Sequence, residues 1–289
     1  MTATPLALAV PRPDWKALAP WLAAGLLFAI LFAQPFGTLV RDWWHDPEAG
    51  HGLLLGPLAL VLAWRRGRVA GARPQPGLGL LLLGGAVALR YLSGLAAELF
   101  TMRLSMVGAA AGLVVFALGV RQLVHWWLPF TLFVLSIPLP AVVIGSLALP
   151  LQFKASALGA VLLESRHVPV QLTGNIIHLP GRSLFVTEAC SGLRSLMALL
   201  ALGVLLAGLW HRSPWSRIAL VAAAIPIAIL LNGMRVFLTG YLSYWVNPAL
   251  ADGFLHYTEG WTVFLLAFGL LAAISWLLRQ LERRGLGTA

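Results

Sequence analysis

Residues 217–240 read RIALVAAAIPIAILLNGMRVFLTG, an almost uninterrupted apolar run. Its only charged residues are Arg217 and Arg235, and almost every residue between them is apolar. Roughly 20 residues of this kind cross the hydrocarbon core of a bilayer as a helix. A helix bonds its own backbone polar groups, which is what hydrocarbon requires. The segment therefore predicts a membrane-spanning helix.

The rest of the chain repeats this pattern. Of the 289 residues, 60% are hydrophobic and only 10% are charged, whereas globular proteins carry about 25% charged residues. Apolar stretches that predict spans lie at about 17–36, 51–64, 77–96, 104–120, 123–139, 192–210, 217–240 and 261–278. The expected fold is all-α: a polytopic membrane protein of one domain, residues 1–289, with about eight transmembrane helices.

The basic residues predict how these spans are oriented. With the N-terminus in the cytoplasm, the inward-facing loops and tails hold 12 of the 20 basic residues. The same regions hold only Asp14 and Glu282 of the 10 acidic residues. Because cytoplasmic loops of membrane proteins are enriched in arginine and lysine, we expect both termini in the cytoplasm.

The longest stretch between predicted spans, about 140–190, is then external. It opens with Pro138 and Pro140, which stop a helix because proline lacks a backbone donor. Residues 144–164 have helical periodicity interrupted by polar side chains, which favours a short helix in the membrane interface. Short β-rich runs separated by glycine turns follow, and they predict a hairpin or three-stranded sheet. These runs are Val168–Leu172, Asn175–Leu179 and Ser183–Thr187.

The predicted sheet leads into TEACSGLRS, residues 187–195, at the start of the sixth span. Cys190, the only cysteine, would lie at a helix N-terminus, where backbone N–H groups and the helix dipole favour a thiolate. Arg194 follows one turn later and could lower the pKa of the thiol further, and Glu188 adds to the polar setting. The alternative is a buried, inert cysteine, which is common in apolar segments.

Two more polar clusters map to the same outer level. Asn232 and Arg235 are three residues apart and share a helix face; the arginine either extends to the interface or stabilises a developing oxyanion. His256 lies in the loop before the last span and has an unperturbed pKa near neutrality, although an interfacial histidine can be merely solvated. A nucleophile, a cation and an acid/base at one depth are what acyl transfer through a thioester requires.

Other classes of site have weaker support. His45, Asp46, Glu48 and His51 lie in the first external loop, but their spacing is not a metal-binding signature, so we expect neither a metal nor a cofactor. The net charge of +10 could suggest nucleic acid. However, the arginines lie at the ends of spans and form no clustered patch for phosphates, so nucleic acid is not an expected partner.

At these motifs the sequence resembles the exosortase/archaeosortase family of membrane transpeptidases. The similarity lies in EACSGLRS at 188–195, in NGMR at 232–235, and in His256 followed by Gly260-Trp261. The order and spacing of these motifs also match. Further agreement comes from Asp46-Pro47 with His51-Gly52, from Ile137–Pro140, and from Gly174-Asn175 before Leu179–Gly181.

The resemblance implies an enzyme in a bacterial cytoplasmic (inner) membrane, with its active site on the outer face. Cys190 would be the nucleophile, Arg235 the oxyanion-stabilising cation and His256 the general acid/base. Substrates would be exported proteins with a C-terminal sorting signal of the PEP-CTERM type, passed to a membrane lipid or other amine acceptor or to water. Glu188, Arg194 and Asn232 either orient these groups or support the fold. The alternative function is a multi-spanning transporter or flippase with a polar outer cavity.

Overall fold

The computed structural model describes residues 15–186, 192–245 and 254–285, with the backbone alone at 15–17 and 254–261. Over these residues the chain forms ten helices and one small sheet. The helices are α1 (Trp15–His45), α2 (Gly52–Arg66), α3 (Pro76–Leu95), α4 (Leu99–Leu118), α5 (Val120–His125), α6 (Trp127–Leu135), α7 (Ala141–Glu164), α8 (Leu193–Trp210), α9 (Pro214–Trp245) and α10 (Phe254–Arg283). The strands are β1 (Gln171–Thr173), β2 (Ile176–Leu179) and β3 (Arg182–Phe185).

The predicted fold class, an all-α polytopic membrane protein, is confirmed. Among the described residues, seven helices are long and apolar enough to cross a membrane: α1, α3, α4, α7, α8, α9 and α10. All eight predicted segments are helical, but the second and fifth are not among these seven helices. α2 has 15 residues and ends at Gly67, whose φ of +60° favours glycine. The fifth is divided into α5 and α6 at Trp126.

α7 differs most from the expectation of a short interfacial helix, since it has 24 residues and the hydropathy of a span. It lies against α9 and runs in the same direction, because Leu158 meets Gly233 and Leu163 meets Gly240. A Cβ atom on Gly233 would lie 2.4 Å from the Leu158 side chain, so the two helices approach closely only because this residue is glycine. The C-terminal half of α7 therefore covers the C-terminal half of α9.

The predicted three-stranded sheet is present, with shorter strands. β1 pairs antiparallel with β2 through Thr173 and Ile176, and β2 pairs antiparallel with β3 through Leu179 and Arg182. Gly174 and Gly181 occupy the two connecting turns with φ of +62° and +82°, which glycine adopts at little cost. The inner face of the sheet packs on α7 and α9 in one apolar cluster formed by Ala155, Leu163, Val168, Ile177, Leu179, Val186 and Val236.

An ion pair between a buried arginine and a partly exposed aspartate joins α1 to α4. Arg103 donates to the Asp42 carboxylate at 2.6 Å, and its side chain is only 2% exposed. Glu98 caps the first turn of α4 by accepting hydrogen bonds from the backbone of Phe100 and Thr101. Burial alone would raise the pKa of Glu98, but the hydrogen bonds from Thr101 and Phe100 outweigh it and hold that pKa below its usual value. The end of α1 that leads into the first loop is therefore firmly placed.

Candidate functional site

α8, α9 and α10 enclose a cleft at the end of α9 that carries Arg235. The cleft has an empty volume of about 310 Å³, including the space that opens to solvent. Its polar lining consists of Ser195, Asn232 and Arg235, and its apolar lining of Leu199, Ala228, Leu231, Val263, Phe264 and Ala267. The guanidinium of Arg235 thus borders a mostly apolar space, where a charge acts more strongly than it does in bulk water.

Gly192 joins the cysteine motif to the arginine motif. It precedes α8 with φ +78° and accepts a hydrogen bond from the backbone N–H of Leu196 at 2.8 Å. A Cβ atom at this position would lie 2.8 Å from Cγ and 3.1 Å from Nδ2 of Asn232. Position 192 therefore requires glycine for two reasons: its backbone is left-handed, and a side chain would collide with Asn232. Two motifs 40 residues apart meet at one point.

Arg194, predicted to act on the thiol, forms an ion pair with the first loop. Its guanidinium donates to Oε1 of Glu48 at 2.9 Å, and the two side chains are 51% and 31% exposed. Because Glu48 offsets its charge in a solvated place, Arg194 is a weaker positive group than the sequence suggested. The pair brings the loop between α1 and α2 to the start of α8.

The remaining polar residues of that loop have structural partners. His51 shares a hydrogen bond with the backbone oxygen of Leu135 at 3.1 Å, and Asp46 accepts one from the backbone N–H of Glu48 at 2.9 Å. His45 contacts the backbone oxygen of Arg41. In the described parts of the chain, no three His, Cys, Asp or Glu side chains are arranged to hold a metal ion.

The structure brings together Asn232 and Arg235 as expected, and it places Arg194 near the same end of the bundle. Cys190 and Glu188 lie outside the described residues. His256 is in the first turn of α10, but its side chain also lies outside the described part.

Two residues near the site were not singled out from the sequence for a role. Asn175 donates from Nδ2 to the backbone oxygen of Val186, and Ser195 lines the cleft. Asn175 belongs to the Gly174-Asn175 motif and Ser195 to the motif at 188–195, and membership in these motifs is the sequence signal that could have identified them.

These features define an integral membrane protein with a mostly apolar cleft, lined by three polar residues, at one end of a helical bundle. Residues 43–273 match the model of a protein family described as "Transmembrane exosortase (Exosortase_EpsH)". The chain belongs to this family, because the match covers most of its length and includes all three predicted motifs. No curated protein and no solved structure matches the chain.

Proposed function

We propose that this protein is a membrane cysteine transpeptidase or protease that cleaves C-terminal sorting signals of exported proteins. Cys190 is the nucleophile, Arg235 stabilises the oxyanion and His256 is the general acid/base. The site faces the outer side of the membrane. The released protein is transferred to a lipid or other amine, or to water.

The contact between Gly192 and Asn232 is the observation that carries the proposal. Cys190 is two residues before Gly192, and consecutive Cα atoms are about 3.8 Å apart. The Cα atom of Cys190 therefore lies within about 7.6 Å of the Cα of Gly192. Asn232 lines the same cleft as Arg235. His256 supports the assignment by position, because it precedes Val263, which also lines the cleft, by two helical turns.

The chemistry follows from these residues. The Cys190 thiolate attacks the carbonyl carbon of the scissile bond, and the negative charge moves to the carbonyl oxygen, where the Arg235 guanidinium offsets it. The C–N bond breaks while His256 donates a proton to the departing amine, which leaves a thioester on Cys190. An amine or water then loses a proton to His256, attacks the thioester carbon and releases the Cys190 thiolate, so the site returns to its starting state.

The orientation rests on the excess of arginine and lysine in the predicted cytoplasmic loops, and the spacing of two arginines along α9 fits it. Arg217 and Arg235 are 18 residues apart, which is about 27 Å along a helix at 1.5 Å per residue. This nearly equals the hydrocarbon thickness of about 30 Å. With Arg217 on the cytoplasmic side, Arg235 reaches the outer interface, where a sorting signal with a transmembrane helix would present its cleavage site.

The test is processing of a co-expressed exported protein that carries a sorting signal. We expect the wild type to shorten the substrate, and Cys190→Ser and His256→Ala to leave it intact while inserting normally into the membrane. His178→Ala is the matched control for histidine loss, because His178 bonds only Ser183 within the exposed face of the sheet. Normal processing by Cys190→Ser would exclude the proposed nucleophile.

A further inference from the structure

We infer that Asn175 is a positioning residue for Cys190. It fixes Val186, from which the chain leaves the sheet and continues to Cys190. This inference rests on the proposed function. Asn175 is the second residue of the turn between β1 and β2, and Val186 follows β3. Val186 is the last described residue before the five positions 187–191 that include Cys190.

Asn175 holds Val186 at two points. Its side-chain Nδ2 donates to the backbone oxygen of Val186 at 3.0 Å, and its own backbone oxygen accepts from the N–H of Val186 at 3.0 Å. Both polar backbone groups of Val186 are therefore bonded to one residue. Val186 is also 4% exposed and belongs to the apolar cluster beneath the sheet. The chain enters the nucleophile segment from a fixed point.

A third residue fixes the orientation of the Asn175 amide. Nδ2 also donates to Oε1 of Gln152 at 3.1 Å, and Gln152 is a buried residue of α7. The NH₂ group thus donates one hydrogen to Gln152 and the other to Val186. A carboxylate could form neither bond because it has no hydrogen to donate. The arrangement selects an amide at this position, whereas a turn by itself would accept aspartate equally well.

The segment is also fixed at its other end. Gly192 contacts Asn232, which borders the cleft. The described residues on either side of positions 187–191 are thus both fixed, Val186 by Asn175 and Gly192 by Asn232. A nucleophile must be held within a few tenths of an ångström of its attack position, since a misplacement of about 1 Å can cost on the order of 100-fold in rate.

The experiment uses the full-length protein and two readouts for Asn175→Ala, Asn175→Asp and Gln152→Ala. The first readout is the kcat and KM of substrate processing per inserted molecule. The second is the rate at which a small maleimide labels the thiol as a function of pH. Because Cys190 is the only cysteine, the labelling needs no background mutations. Ser183→Ala is the matched control, since it removes a side-chain hydrogen bond of the same sheet without touching Val186.

We expect Asn175→Ala and Asn175→Asp to lower kcat by about 10- to 100-fold with KM unchanged, and to shift the labelling profile. Gln152→Ala has the same effects to a smaller degree, and Ser183→Ala has neither. If an Asn175 variant does not insert, the labelling profile of Gln152→Ala decides.

An unchanged kcat and labelling profile in the variants that insert would overturn the inference, as would an equal loss in Ser183→Ala. Failure of the proposed function gives a different result, because Cys190→Ser would then process the substrate.

Discussion

α9 carries two arginines between α8 and α10, Arg217 near its start and Arg235 ten residues before its end, and the two regions are built differently. At the Arg217 end, the Nε of Arg217 donates to the backbone oxygen of His211 at 3.0 Å. The guanidinium of Arg217 also lies over the ring of Trp127, 5.3 Å from its centre. His211 is bonded in turn to Ser275 at 2.9 Å and to Glu282 at 3.3 Å. The polar groups at this end of the three helices are therefore bonded to one another, and we call it the closed end.

At the other end, Ser195, Asn232 and Arg235 line an open cleft. Comparing the two ends shows how polar residues that support the fold differ from polar residues that can form a site. A polar group that lies wholly among protein groups stabilises the fold, whereas one that also borders a cleft can in addition meet a ligand or a reacting atom. The sequence shows an arginine at each end of the same span and cannot distinguish them.

An apolar cluster separates these two ends. Leu199, Leu206, Leu220, Ala224 and Leu271 are all buried in it, between α8, α9 and α10. A transporter or flippase would place polar residues along this route, because a polar cargo must remain solvated as it crosses. The packing of these three helices therefore argues against a polar route between them.

The largest expected effect separates the two arginines. Arg235→Ala should reduce processing per inserted molecule by about 100- to 1000-fold, the usual result of removing one oxyanion-stabilising group. Arg217→Ala should lower thermal stability in detergent, because it removes a hydrogen bond and a cation–π contact, and should leave the processing rate nearly unchanged. Both are measured with the same substrate assay and a melting curve. Equal losses of activity would show that the distinction between the ends is wrong.

A smaller effect tests the join between the cysteine and arginine motifs. Gly192→Ala and Gly181→Ala both place a side chain at positive φ, at a cost of about 1–2 kcal/mol. A Cβ at position 181 would have nothing within 4 Å, whereas one at 192 would meet Asn232. We expect Gly181→Ala to reduce stability only, and Gly192→Ala to reduce the processing rate as well. The comparison uses melting temperature and rate per inserted molecule; similar rates in the two variants would contradict it.

The sequence predicted the features that depend on local pattern. The apolar stretch at 217–240 appears within α9, and the glycine turns at Gly174 and Gly181 appear between strands. The helix at 144–164 was predicted to lie in the membrane interface and not to have the character of a span, because Gln152 and Ser156 interrupt its apolar run and suggested an exposed face. Both are buried against neighbouring elements instead, at 8% and 0% exposure.

Pairings between distant residues could not be predicted. Glu48 and Arg194 are 146 positions apart, and neither residue type nor spacing indicates that they meet. The same is true of Asn175 with Gln152, since a turn asparagine is explained locally by its tolerance of turn geometry. The roles of Cys190 and His256 and the orientation of the chain stay predictions.

The smallest expected effect concerns the closed end. Glu282 accepts hydrogen bonds from the backbone of Arg212 at 3.4 Å and of Ser213 at 3.3 Å. Glu282→Gln keeps one acceptor oxygen but loses the charge opposite His211, so we expect stability to fall by about 1 kcal/mol and processing to continue at the wild-type rate. Glu164→Gln, at the exposed end of α7, controls for charge loss and should change neither. If Glu282→Gln slowed processing while Glu164→Gln did not, the closed end would be coupled to the cleft. Arg217 and Arg235 lie about 27 Å apart along α9, at about 1.5 Å per residue. The two ends could then no longer be treated as independent.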